Sequence, residues 1–153
     1  MNLSLKGKVA LVAGSTQGIG KSSAIGLAQL GARVILIARN SARLESVREE
    51  LNQISSLAHS AIVADFSDPD NLKFILDDKL SNEGEIHILV NNTGGPPAGL
   101  ASEAGIDDFK SAFEMHLVCN HILAQSAIPR MKASNYGRII NVISTSVKQP
   151  LPN

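Results

Sequence analysis

Five short apolar runs alternate with longer segments of mixed polarity, and no other property of this chain narrows its fold so far. The runs occupy residues 9–13, 34–38, 59–64, 86–90 and 138–143, with Gly14, Asn40, Asp65 and Asn91 at or just past the ends of the first four. Near-continuous hydrophobicity over so few residues, rich in Val and Ile, suits strands covered on both faces of a parallel sheet. The segments between them, 19–30, 42–55, 69–80 and 107–133, are long enough to be crossover helices. Their boundaries carry start and stop signals: Ser67 with Asp70 three residues on matches a capping box, Pro69 stands where a first-turn proline is tolerated, and Gly31 can end the first helix. The expected fold class is therefore α/β, a doubly wound parallel sheet whose ligand lies at the carboxyl ends of the strands.

Charge and length set the remaining bounds. Fourteen basic residues balance fourteen acidic ones over 153 residues, so there is no long-range field to hold a polyanion, and nucleic acid and anionic membrane are not expected partners. No apolar run approaches the ~20 residues that span a bilayer. The first residues are polar, with no apolar stretch before a small-residue cleavage site, and the single Cys119 cannot form an internal disulfide. One domain over 1–153 in a reducing, cytoplasmic setting is the expectation. After the last run only residues 144–153 follow, with Pro150 and Pro152 opposing further regular structure, so the sheet is expected to stop at its fifth strand with an apolar edge and helix face uncovered.

The chemistry concentrates at the ends of the runs. Between the first strand and first helix lies Gly14-Ser15-Thr16-Gln17-Gly18-Ile19-Gly20. Glycines there let a backbone approach a pyrophosphate while amides at the helix start bind the anion. Gly20-Lys21-Ser22 could instead close a P-loop, but that pattern needs its first glycine where Ser15 stands, so the spacing excludes it. After the fourth strand come Asn91-Asn92-Thr93-Gly94, and the stretch 93–105 is the one loop dense in Gly and Pro. The second strand ends in Ala38-Arg39-Asn40, with no acid to bond a ribose 2′-hydroxyl and with a guanidinium that can pair with a phosphate. No metal-binding cluster is expected.

Taken together, Gly14-x-x-x-Gly18-Ile19-Gly20, Asp65 after the third strand, Asn91 to Gly94, Pro129-x-Met131 and the segment Gly137 to Ser144 make the chain resemble the short-chain dehydrogenase/reductase family, over nearly its whole length. Within that family it looks similar to an atypical branch of 3-oxoacyl-thioester-reductase-like members, through the Asn91-to-Pro97 run and His116. The resemblance implies a Rossmann-like sheet and the amino-terminal part of a longer protein. It implies that residues 14–20 hold cofactor phosphate, that Asp65 and Phe66 border the adenine, and that Asn92, Thr93 and Gly94 line the ribose and nicotinamide side. With Arg39 and Asn40 it implies NADP rather than NAD, and a small carbonyl or alcohol substrate. Assembly into a homo-oligomer through the long helix is implied as well.

The same resemblance places a catalytic Ser at Ser144, whose hydroxyl can donate to a developing oxyanion. At the position of the family's helical Asn stands His116, which can relay a proton. The family's Tyr and Lys positions lie past Asn153. Tyr136 is the sole tyrosine, and four residues beyond it is Ile140 rather than Lys, so it lacks the lysine that the family spacing sets beside the phenol. Two readings follow: an NADP-dependent oxidoreductase transferring hydride between nicotinamide and a carbonyl, or a nucleotide-binding or scaffolding chain without turnover.

Overall fold

In the computed structural model the described residues are 3–95, 99–100 and 102–149. Pro96, Pro97, Pro150 and Pro152, which entered the sequence reading, lie outside them. Five parallel strands, β1 (Val9–Ala13), β2 (Arg33–Ala38), β3 (Ser60–Val63), β4 (Ile88–Asn91) and β5 (Arg138–Asn141), form one sheet in the order β3-β2-β1-β4-β5. The order reverses beside β1, between β2 and β4, which opens a crevice at the carboxyl ends of those strands.

Alternation along each strand feeds two cores. Ala10 and Val12 of β1, Val34 and Leu36 of β2, and Ile88 and Val90 of β4 face α1 (Gly18–Gln29) and α2 (Ser41–Ile54), whose buried residues are small or branched: Ala24, Ala28, Leu44, Val47 and Leu51. Leu11, Ile35, Ile37 and Leu89 point the other way, against α3 (Pro69–Leu80) and α5 (Cys119–Ala133). Each such Leu or Ile side chain gains about 1.5–3 kcal/mol by burial. Truncating Leu89, which is fully buried, to Ala removes about 2–5 kcal/mol.

Helix boundaries depart from the sequence reading in two places. The N-cap of α3 is Asp68, whose Oδ1 accepts from the Asn71 N–H at 3.0 Å, whereas Ser67 donates its own N–H to Asp65. Pro69 occupies the first helical position, and that fixes the cap one residue later than the Ser67 box. The long helix expected over 107–133 is three pieces: α4 (Ile106–Phe113), a π-helical turn (Glu114–Val118) and α5. Gly31 does end α1, at φ +96° beyond Leu30, with its N–H on the Ala28 carbonyl.

The last strand contrasts with the others. Every residue of β5 is exposed, including Ile139 and Ile140, and the apolar side chains of Ile106, Phe109, Phe113 and Leu117 stand exposed along α4 and the π turn. Among the described residues no helix is long and apolar enough to cross a membrane.

Candidate functional site

The turn between β1 and α1 is shaped by its glycines and by a partner from β4. Gly14 adopts φ +59°, which an L side chain rarely tolerates, and a Cβ there would strike the Asn92 carbonyl. A Cβ at Gly20 would overlap the Gly14 carbonyl oxygen. The Asn92 side chain closes the arrangement by donating Nδ2 to the carbonyls of Ala13 and Gly14, 3.3 Å each. One step back, Asn91 Nδ2 donates to Asn141 Oδ1 at 2.8 Å and ties the end of β4 to that of β5. Gln17 caps α1 without a side-chain hydrogen bond. The first-turn amides of the helix, where its dipole is positive, are thus left for an anion.

Around this turn lies a cavity of about 420 Å³, within the range of small-molecule sites. Its wall contains Gly14, Thr16, Gln17, Gly18 and Ile19 from the turn, Arg39 beyond β2, Asp65 and Phe66 beyond β3, and Asn92, Thr93 and Gly94 beyond β4. These were all singled out in the sequence. Ala38, Gly95 and Met115 also line it and were not. Ala38 is the last residue of β2, and Met115 is carried in by the π turn, which left no periodic signal in the sequence.

Five other expected residues stand off the wall. Ser15 is fully buried with its N–H and hydroxyl both on the Ile37 carbonyl at 3.3 Å, so its side chain fastens the turn to β2 instead of facing a ligand. Gly20 is buried and acts by letting α1 approach Gly14. Asn40 serves as N-cap of α2, its Oδ1 accepting from Arg43 N–H at 2.9 Å. Arg43 itself reaches across to Gln17 Oε1 at 3.2 Å, a contact between α2 and the glycine turn that the sequence reading missed. His116 sits behind the wall with Nδ1 2.5 Å from the Thr93 hydroxyl.

Ser144 follows β5 at the carboxyl end of the sheet and caps a short 3-10 turn, Thr145–Val147. Its Oγ accepts from the Ser146 N–H at 3.1 Å and lies 2.7 Å from the Ser146 hydroxyl. Tyr136 is elsewhere, at the opposite end of the sheet beside Lys8, His87 and Arg138.

Electrostatics at the site favour charge on Asp65. The Ser67 N–H, 3.0 Å from Oδ1, holds its carboxyl below the usual range against a smaller opposing effect of burial, and Arg39 adds to the lowering. Behind Phe66, the Cys119 thiol donates to the Phe66 carbonyl at 3.2 Å, and burial pushes its pKa up to about 11. A smaller groove of about 280 Å³ lies between α3 and α5, away from the strand ends. Among the described residues no group of three or more His, Cys, Asp or Glu is placed to hold a metal ion.

A parallel sheet with its crevice at the reversal of strand order, a glycine turn feeding a helix start, and an acid and a guanidinium on the flanking strand ends define a dinucleotide-binding α/β protein. The family model for short chain dehydrogenase matches residues 8–153, and the chain belongs to that family. It is 34% identical over 152 residues to the uncharacterized oxidoreductase YvrD of Bacillus subtilis, covering 99% of this chain and 57% of that protein. It is 33% identical to a chloroplastic NADPH-dependent aldehyde reductase-like protein of Arabidopsis thaliana, covering 98% of this chain and 60% of the relative. Among solved structures, L-sorbose reductase of Gluconobacter frateurii complexed with NADPH and L-sorbose superposes with TM-score 0.91 at 30% identity, over 99% of this chain and 57% of the other. A 3-oxoacyl (acyl-carrier-protein) reductase of Agrobacterium tumefaciens with NADP bound gives 0.88 at 26%, over 98% of this chain and 57% of the other. The chain thus spans little more than half the length of these relatives.

Proposed function

We propose that these 153 residues form the dinucleotide-binding domain of an NADP-dependent oxidoreductase that moves hydride between nicotinamide and a carbonyl or alcohol. The observation that carries the reading is the single cavity wall joining the glycine turn, Arg39 and Thr93. The NADPH and NADP printed for the two structural relatives support the cofactor. The residues present fit such a molecule: amides at the start of α1 for a diphosphate, Asp65 as acceptor on the β3 side, and beyond β2 the guanidinium of Arg39, which has no hydrogen bond or salt bridge among the described residues. When bound, the cofactor supplies or takes the hydride.

The protein residues have separable tasks. Arg39 would pair with a 2′-phosphate, and Thr93 and Gly94, across the cavity, would line the nicotinamide half. Ser144, already an acceptor for Ser146, keeps its own hydroxyl proton to donate to the carbonyl oxygen. His116 does not line the cavity and acts through Thr93. A cytosolic, reducing location suits the buried free thiol of Cys119. The exposed apolar row Ile106, Phe109, Phe113 and Leu117 suits self-association into a homo-oligomer, which light scattering after gel filtration reads directly.

Titration of the chain with NADPH and NADH tests the reading. NADPH is expected to bind roughly 10–100-fold more tightly, and Arg39→Ala to remove most of the difference, as befits a charge-assisted hydrogen bond. Absence of binding by both coenzymes would sink the proposal. A second reading, binding without turnover, is favoured for these residues by Tyr136, which lies at the wrong end of the sheet to exchange a proton at the site. NADPH binding with no oxidation across a panel of carbonyl compounds selects it.

A further inference from the structure

Of the buried polar side-chain atoms without a hydrogen-bond partner among the described residues, two lie on the helical stretch that carries Met115 to the cavity. His116 Nε2 is one and Asn120 Oδ1 the other, four residues apart along the π turn and the start of α5. The two atoms are not bonded to each other, and one water between them, accepting from an Nε2–H and donating to the amide oxygen, would satisfy both. The other imidazole nitrogen, Nδ1, lies 2.5 Å from the Thr93 hydroxyl. A neutral imidazole carries one proton, and placing it on Nε2 leaves Nδ1 to accept.

We infer that His116 is a positioning residue that turns the Thr93 hydroxyl proton inward, so that Thr93 Oγ presents its lone pairs to a donor on the nicotinamide half of the dinucleotide. The donor is a ribose hydroxyl or the carboxamide N–H. This rests on the dinucleotide reading above and deepens it by assigning polarity to one point of the wall. Thr93 and Met115 line the cavity on the β4 side, and the π turn delivers both Met115 and His116 to that spot. A regular helix through residues 114–118 would point neighbouring side chains along a different bearing, and insertions of this kind recur at functional positions.

The tautomer is measurable without turnover. Long-range 1H–15N correlation on the imidazole should show the proton on Nε2; a proton on Nδ1 overturns the inference. Binding supplies the second readout, using NADPH and 2′,5′-ADP, which lacks the nicotinamide half. Thr93→Val and His116→Leu should each weaken NADPH by roughly 3–10-fold, the worth of one neutral hydrogen bond, and leave 2′,5′-ADP unchanged. Thr93→Ser and His116→Asn, which keep the hydroxyl and an acceptor for it, should restore NADPH affinity. Equal loss of both ligands would mark a structural role and overturn the inference, as would unchanged NADPH affinity. If neither ligand binds the unmodified chain, the dinucleotide reading falls together with this one; if 2′,5′-ADP binds and the variants leave NADPH untouched, only this one falls.

Discussion

The two ends of the sheet handle polar groups in opposite ways. Where the strands begin, the imidazoles and an arginine spend their polar atoms within the protein, although the Ser60 hydroxyl at the start of β3 has no partner among the described residues. Val9 N–H donates to His87 Nδ1 at 3.1 Å and Val34 N–H to His59 Nδ1 at 3.0 Å, so two buried imidazoles supply ladder-like acceptors to β1 and β2. Their other nitrogens are engaged too, His59 Nε2 with Ser55 Oγ at 2.9 Å and His87 Nε2 facing Glu85 at 3.5 Å. Arg33 adds a fork to Glu83, with Nη1 on the carboxylate at 2.5 Å and Nη2 on the main-chain carbonyl at 2.7 Å. Where the strands end, the glycine turn exposes helix amides, and Arg39 forms no hydrogen bond or salt bridge among the described residues. Both ends hold internal pairs, Asn91 with Asn141 among them, but only the carboxyl end keeps groups in reserve, because a group already paired inside the protein has nothing to offer a ligand.

Substitutions can break that separation. The largest effect is expected from Gly20→Val, whose side chain must displace the Gly14 carbonyl: overpacking costs about 1–3 kcal/mol in urea unfolding, and calorimetry should detect no remaining NADPH binding. Next is His87→Leu, which strands the partly buried Val9 N–H at a cost of about 1 kcal/mol while leaving the NADPH dissociation constant as it was. If His87→Leu weakened the ligand as strongly as the fold, the two ends would not be separable.

Acid sharpens the comparison further. Burial holds both imidazoles below the ordinary value, with Arg33 adding to the lowering at His59 and Lys8 at His87, while Glu85 opposes it there. Below about 6.5 the unfolded chain binds protons that the folded chain refuses. The stabilisation is therefore complete above that pH and is lost as acid moves down through the folded-state values. The urea midpoint should fall on acidification, and a double His59→Asn, His87→Asn variant, with acceptors that do not titrate there, should flatten the slope. A midpoint that rises in acid refutes the assignment. Smallest is Arg33→Met: its pair with Glu83 is partly exposed, so about 1 kcal/mol is at stake, measured by a double-mutant cycle with Glu83→Gln.

Most of this fold is legible in the residues because buried parallel strands write themselves as short apolar runs. The ends of those runs are less so. The run 59–64 contracts to Ser60–Val63, since His59 spends its side chain on β2 and Ala64 continues only through its N–H to Ala38. The run 86–90 shifts to Ile88–Asn91, because Asn91 still pairs with Asn141 in register. At the site, residues that contact through a loop were readable from type and position, as Arg39 and Asp65 show. Residues that act through a change of helical pitch were not: nothing in the stretch 107–133 marks the π turn that brings Met115 to the cavity. Ser15 was misplaced for a related reason, since a glycine-rich stretch does not say which of its side chains turns inward.

Cys119 is the chain's only sulfhydryl and is completely shielded, anchored to the carbonyl of a residue on the cavity wall. An alkylating reagent can reach it only during moments when α5 and the β3–α3 connection part. The protein therefore carries its own breathing clock: the half-time of carbamidomethylation counts openings, and a ligand resting on Phe66 should slow the count in proportion to its occupancy.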